Sequence, residues 1–297
     1  MADRRSFGKK LSHAIEGGAG WLCYGFFRAL PLDRASALGG WLARSIGPHV
    51  GASKRARINL RRAMPELPEA EVERVIRGMW DNLGRVAAEF PHIGRFKIDA
   101  PDGRIAVERF TEIVDGRKPD TRFIFFSGHY GNWEIATYVV TQCGLDVIEV
   151  YRAANNPFID RIMADVRGAA GGELAPKGSA TARRAIAALA EGKHVCMLVD
   201  QKMNDGIAVP FFGRDAMTTP ALARLALRYD CVVLPCRVER VKGATFRLVV
   251  EEPIPLPRTG DVQADIKTLM TAVNATVERW VRQRPEQWFW LHRRWPN

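Results

Sequence analysis

The chain has 297 residues, 47% of them hydrophobic and 26% charged, which supplies a sizeable core and excludes a disordered or low-complexity protein. Its net charge of +11 calls for an anionic partner: nucleic acid, a membrane surface or an acidic protein. The five cysteines form no C-x-x-C pair, which argues against a zinc ribbon, a thioredoxin-type site or a disulfide framework, and Walker A, H-E-x-x-H and G-x-S-x-G patterns are absent.

The basic excess sits at the front. Residues 1–62 hold 12 Lys and Arg against 3 Asp and Glu. Within them, residues 17–27 are uncharged and aromatic-rich. That run is shorter than the about 20 residues a spanning helix needs. Aromatic residues beside Arg and Lys suit a membrane interface, so 1–62 is read as a basic, amphipathic membrane-associating segment. A tilted spanning anchor and an amphipathic helix packed on the core are the alternatives. A cleaved signal peptide fits poorly.

After a turn at 64–68, apolar residues Val72, Val75, Ile76, Met79, Leu83 and Val86 recur at helical spacing, predicting a helix over 70–90 that Pro91 ends. Residues 105–107 with Phe110 form a weak strand-like stretch. Residues 123–126 are a continuous apolar run, as in a buried central strand. Further strands are predicted at 147–151, 195–199, 232–235 and 245–250. Helices are predicted at 135–140, 157–167, 179–191, 220–229 and 261–282. Cys143, Cys196, Cys231 and Cys236 fall in apolar stretches and read as reduced core residues of a cytosol-facing protein. Alternating strands and helices imply an α/β domain over 63–297, with a mostly parallel central sheet flanked by helices.

The segment Ser127-Gly128-His129-Tyr130-Gly131-Asn132-Trp133-Glu134 joins the central strand to a helix. It places His129 at the carboxyl end of a strand, where α/β sheets hold ligands. On a regular helix His129 and Glu134 would diverge by about 140°. In a turn with Gly128 and Gly131 their side chains can meet. A His held by a carboxylate is a general base for a hydroxyl nucleophile. A satisfied core histidine is the competing reading.

The His-x4-Glu element resembles the His-x4-Asp/Glu motif of bacterial lipid A late acyltransferases, the lauroyl and myristoyl transferases of the lysophospholipid-acyltransferase-like superfamily. Tyr151-Arg152, Asn155-Asn156-Pro157, Asp200-Gln201, the loop 209–213 and the segment from Pro285 through Trp288, Trp290 and His292-Arg293-Arg294 resemble further elements of that family, in order. The Pro-Glu-Gly-Thr-Arg-type phosphate-binding element of glycerol-phosphate acyltransferases is absent.

The resemblance implies transfer of a fatty acyl chain from acyl carrier protein to a hydroxyl of a lipid A precursor. His129 would be the general base, and Glu134 would orient it. Turn N–H groups near Gly131 would hold the oxyanion. Arg152, Asp200, Asn156 and Phe211 would bind substrate, with a buried Arg152–Asp200 ion pair and a core role for Phe211 as alternatives. Residues 288–294 would form either an interfacial belt or a packed cap. No metal and no bound organic cofactor is implied. The implied partners are acyl carrier protein, the lipid A precursor and anionic inner-membrane lipids at the cytoplasmic face, and no nucleic acid. Acylation of another glycolipid or lysophospholipid, or a non-enzymatic binding role, are the alternatives.

Overall fold

A computed structural model of the chain describes residues 2–115, 117–118, 120–151, 154–175 and 179–295. Four helices come first: α1 (Ala2–Ala29), α2 (Leu32–Ile46), α3 (Ala52–Ala63) and α4 (Glu69–Glu89). Then follow β1 (Ile105–Glu108), α5 (Phe110–Val114), β2 (Phe123–Ser127), α6 (Ala136–Gln142), β3 (Val147–Val150), α7 (Pro157–Ala170), β4 (Glu173–Leu174), α8 (Ser179–Ala190) and β5 (His194–Leu198). The remainder is β6 (Ile207–Phe211), β7 (Arg214–Thr218), α9 (Ala221–Tyr229), β8 (Val232–Lys242), β9 (Thr245–Val250) and α10 (Val262–Gln283).

Seven strands form one sheet in the order β1-β9-β8-β2-β5-β3-β4. Among these neighbours only β8 and β9 run antiparallel, so the sheet is mostly parallel as expected. β2 lies at its centre and every one of its five residues is buried. Side chains alternate across a strand, and β2 serves both faces. Ile124 and Phe126 join a core with α3, α4, α9 and α10. Phe123 and Phe125 join the opposite core with α5 and α6. A continuous apolar run is what a strand covered on both faces needs.

The structure adds a second sheet, the hairpin β6–β7, where the sequence suggested a loop. Its turn residues Phe212 and Gly213 both have positive φ, 53° and 67°, the twist a two-residue hairpin turn requires. The hairpin packs against α10 by the Asn274 amide, which donates to the Pro210 carbonyl at 3.1 Å.

Helices α2 and α3 pack on α4. Gly39 and Gly84 let the α2 and α4 backbones touch: a Cβ at Gly39 would sit 2.4 Å from the Gly84 oxygen. Ser36 donates to buried Glu89 at 2.6 Å across the same contact. The α1 helix rests on α7, with Gly20 against Ile159. Its outer side leaves Ile15, Trp21, Leu22 and Phe26 exposed. Among the described residues no helix is long and apolar enough to cross a membrane.

Candidate active site

Strand register assembles the site. β2 and β5 are parallel neighbours with Ser127 level with Leu198. Val199 N–H still donates to the Ser127 carbonyl at 3.0 Å. Two residues beyond that level, at the carboxyl edge of the sheet, lie His129 and Asp200. His129 Nδ1 is 2.7 Å from Asp200 Oδ1, and the His129 backbone N–H donates to Oδ2 at 2.7 Å. The Trp288 indole N–H donates to Oδ2 at 2.7 Å.

Asp200 is 1% exposed. Burial alone would push its pKa up. The charge and hydrogen bonds of His129, with His292 behind them, outweigh burial and hold the carboxyl well below the usual carboxylate range. An ionised carboxylate only accepts. The proton between the pair therefore sits on His129 Nδ1, and in the neutral ring Nε2 presents its lone pair. The Gln201 amide nitrogen lies 3.2 Å from Nε2 and is placed to donate to it. The rings of His292 and Trp133 flank His129 with centroids 4.6 and 5.2 Å away.

The turn that carries His129 is clamped from several sides. Gly131 N–H donates to the Gln287 carbonyl at 2.9 Å. The Asn82 amide donates to the Gly131 carbonyl at 2.8 Å. Asn132 donates to buried Glu89 at 2.8 Å, and Glu89 pairs with Arg240. Phe289 N–H donates to the His129 carbonyl at 3.0 Å. An imidazole held this way needs little reorganisation to meet a reacting group.

The sequence expectation for Glu134 is corrected. The contact it was expected to make with His129 is made by Asp200. Glu134 turns away to α7 and receives two hydrogen bonds of 2.9 Å from Arg167 and one from Trp133 Nε1. The guanidinium, packed over the Tyr151 ring, also lies 3.6 Å from Glu149. Glu134 thus anchors the turn to α7.

Asn156 is an N-cap. Its Oδ1 accepts from Phe158 N–H, and its amide donates to the His13 carbonyl and Glu16 of α1. These bonds occupy the side chain in tying α1 to α7, so it is not disposed toward substrate. Phe211 is also corrected: it is 1% exposed and enclosed by Trp288 and Trp295, so it is a core residue. The oxyanion role suggested for the amides around Gly131 loses Gly131 itself, whose N–H is taken by Gln287. Arg152 lies outside the described residues. Trp288, Trp290 and Arg294 are fully buried, so the last segment is a packed cap and not an interfacial belt.

His129, Asp200 and His292 bring ligand-type atoms within 4.8 Å of one another. Both Asp200 oxygens, however, already accept N–H groups, and the indole donor faces the same carboxylate. That donor set holds an imidazole better than it holds a cation.

The profile of the bacterial lipid A biosynthesis acyltransferase family matches residues 4–297. The chain belongs to this family. This lipid A acyltransferase family member is 26% identical to the lipid A biosynthesis myristoyltransferase of Escherichia coli (strain K12) over 267 residues, covering 89% of this chain and 80% of that one. It is likewise 26% identical to lipid A biosynthesis acyltransferase 1 of Shigella flexneri, with the same coverage. It is 26% identical to the Escherichia coli (strain K12) lipid A biosynthesis lauroyltransferase over 260 residues, 81% of this chain and 79% of the relative.

Three residues around His129 were not expected there: Gln201, which had only a place in a motif, and Trp288 and His292, which belonged to a segment expected as a belt or cap. Gln201 was visible as the neighbour of Asp200. Trp288 and His292 were visible only as parts of a late motif, because their approach to His129 is a tertiary contact.

Proposed function

We propose that the chain transfers a fatty acyl group from acyl carrier protein to a hydroxyl of a lipid A precursor, with His129 as general base and Asp200 as its orienting carboxylate. The observation that carries this reading is the His129–Asp200 pair, with Nε2 turned away from the carboxylate, in a member of the lipid A acyltransferase family.

The acceptor hydroxyl takes the position facing Nε2 where Gln201 now donates. Nε2 accepts the hydroxyl proton as the oxygen attacks the thioester carbonyl. Asp200 stabilises the imidazolium that forms, as the carboxylate of a catalytic triad does. The tetrahedral intermediate collapses with cleavage of the carbon–sulfur bond. The departing thiolate receives the proton back from Nε2. An ester and a free carrier thiol result, His129 is restored, and no acyl-enzyme is required.

Two surroundings support the reading. An apolar groove of about 420 Å³ runs between α1, α4 and α7, lined by Tyr24, Phe27, Leu83, Ile162 and Met163 and reaching Trp133, which also flanks His129. It offers an acyl chain a dry path to the base. The exposed apolar side chains of α1, together with Trp41 and Ile46 of α2, and the basic front of the chain suit a helix pair lying in the anionic cytoplasmic leaflet of the inner membrane.

The test is an in vitro transfer assay. Detergent-solubilised protein is mixed with acyl carrier protein loaded with chains of several lengths and with a lipid A precursor, and products are read by mass spectrometry. One added acyl mass is expected, and it is lost in His129→Ala. Absence of transfer with every donor would sink the reading. Transfer surviving in His129→Ala would mean another base.

A further inference from the structure

A second feature adjoins His129 and joins α3 to the late segment around Arg293. α3 carries five cations, and they divide between two sides. Arg57 and Arg61 face α4 and pair with Glu73 and Glu69. Lys54, Arg55 and Arg62 face the C-terminal segment instead and line a cleft of about 340 Å³ with Arg293. Arg55 and Arg293 also line a second, polar cleft of about 510 Å³ with Lys202, Asn204, Gln201 and His292. The two clefts therefore share a wall.

Among the described residues, none of Lys54, Arg55, Arg62, Lys202 or Arg293 makes an ion pair, whereas Arg57 and Arg61 on the same helix do. No carboxylate lines either cleft. The placement is built in: the buried Asn59 of α3 donates both amide hydrogens to the segment, to the Trp290 carbonyl at 2.9 Å and the His292 carbonyl at 2.7 Å. Arg55 adds a contact to the Leu291 carbonyl. These bonds hold Arg293 opposite Arg55.

We propose that this double cleft is a phosphate-recognition site that grips the anionic head of the acceptor, resting on the acyl-transfer reading above for the identity of that acceptor. Guanidinium groups recognise phosphate oxygens in a bidentate fork, and two arginines from different elements converge on the shared wall. Gln201 and His292 line the larger cleft and contact His129, so a phosphosugar held there presents its neighbouring hydroxyls to Nε2. Concavity favours such a head group over a protein partner: the combined space is that of a small-molecule site, whereas an acidic carrier helix is met by cations on an open surface. A bound phosphate would position the nucleophile without taking part in bond making.

The test uses the full chain in detergent, in a His129→Ala background that binds without turnover. The probes are a synthetic diglucosamine lipid bearing 3-hydroxyacyl chains and a phosphate, its dephosphorylated counterpart, and phosphatidylglycerol micelles as competitor. Binding is read by intrinsic tryptophan fluorescence. The phosphorylated lipid is expected to bind about tenfold or more tightly than the dephosphorylated one, and added salt narrows the gap. The Arg55→Gln/Arg293→Gln pair erases the gap, and Arg74→Gln, which lines neither cleft, leaves it. Equal binding of the two lipids, or competition by phosphatidylglycerol as strong as by the phosphorylated lipid, would overturn the proposal. So would a rise confined to the KM for acyl carrier protein when the arginine pair is replaced in the active enzyme, which would assign the cations to the donor. If the unmodified enzyme transfers no acyl group yet keeps phosphate-dependent binding, the acyl-transfer reading fails and the phosphate site stands.

Discussion

Asp200 holds three N–H groups on two oxygens while almost wholly buried. Its folded carboxyl titrates well below the usual range, so its contribution to stability is complete above the unfolded carboxylate value of about 4 and is lost as pH falls through that region toward the native value. Urea unfolding followed from pH 6 to pH 3 is expected to show that loss in the wild type, with a shallower slope in Asp200→Asn. The same substitution lets the imidazole proton move to the wrong nitrogen, and a fall in kcat of about 10³–10⁴ is expected, with an altered pH profile. Glu134 acts differently. Glu134→Ala removes the two hydrogen bonds to Arg167 inside the protein and is expected to lower the unfolding free energy by about 3 kcal/mol. Glu134→Gln keeps an acceptor for the guanidinium and recovers most of that loss, measurable by the same unfolding curves. His129 was legible in the sequence because a short apolar run followed by Ser-Gly-His fixes a strand end. Asp200 was legible as a site residue, but its pairing with His129 was not. A carboxylate five residues away looks adjacent along the chain, yet Asp200, 71 residues away, is brought level by a strand pairing that no local pattern encodes.

At the scale of elements, the turn at 128–135 is the piece most tightly determined. Gly131 has φ +58°, and a Cβ there would lie 1.7 Å from the Val238 carbonyl oxygen. Neither the backbone conformation nor the space admits a side chain. Gly131→Ala is expected to cost several kcal/mol, about 3 or more, seen as a lowered unfolding midpoint together with lost activity. Most elements were readable from period and punctuation. The helix expected over 70–90 is α4, and the strand at 245–250 is β9. The final helix opens on Asp261, whose carboxylate caps Gln263 and Ala264. The hairpin β6–β7 was not readable. Pro210 lies inside its first strand, which demotes a strand signal, and is tolerated because the pair is an isolated edge. Its turn is Phe-Gly where Asn-Gly is the recognisable form.

Across the whole molecule, two surfaces meet near His129, the apolar groove under α1 and the basic double cleft beside α3, and a third, the outward apolar side of α1 and α2, faces solvent. Leu22 is 77% exposed and Ile15 65% on the outer side of α1. Replacing Trp21, Leu22 and Phe26 together with Ser is expected to weaken sedimentation with phosphatidylglycerol vesicles about tenfold or more. Urea stability should stay within about 1 kcal/mol, since these side chains are mostly exposed. The mostly parallel sheet and its flanking helices were inferable from alternating strand and helix patterns. That meeting was not, because α3 and the last segment come together only through tertiary contacts such as the hydrogen bonds of Asn59.

Phe289 N–H on the His129 carbonyl and the Trp288 indole on Asp200 also carry a consequence for the order in which the protein is made. The base emerges from the ribosome first, its carboxylate 71 residues later and the indole 88 residues after that. A nascent chain can pair β2 with β5 and still leave Asp200 one donor short, with Gly131 untethered from Gln287. On the proposed mechanism, unfinished chains lack the full set of contacts that orients His129, and transfer activity is expected only once the segment around Trp288 has been synthesised and docked.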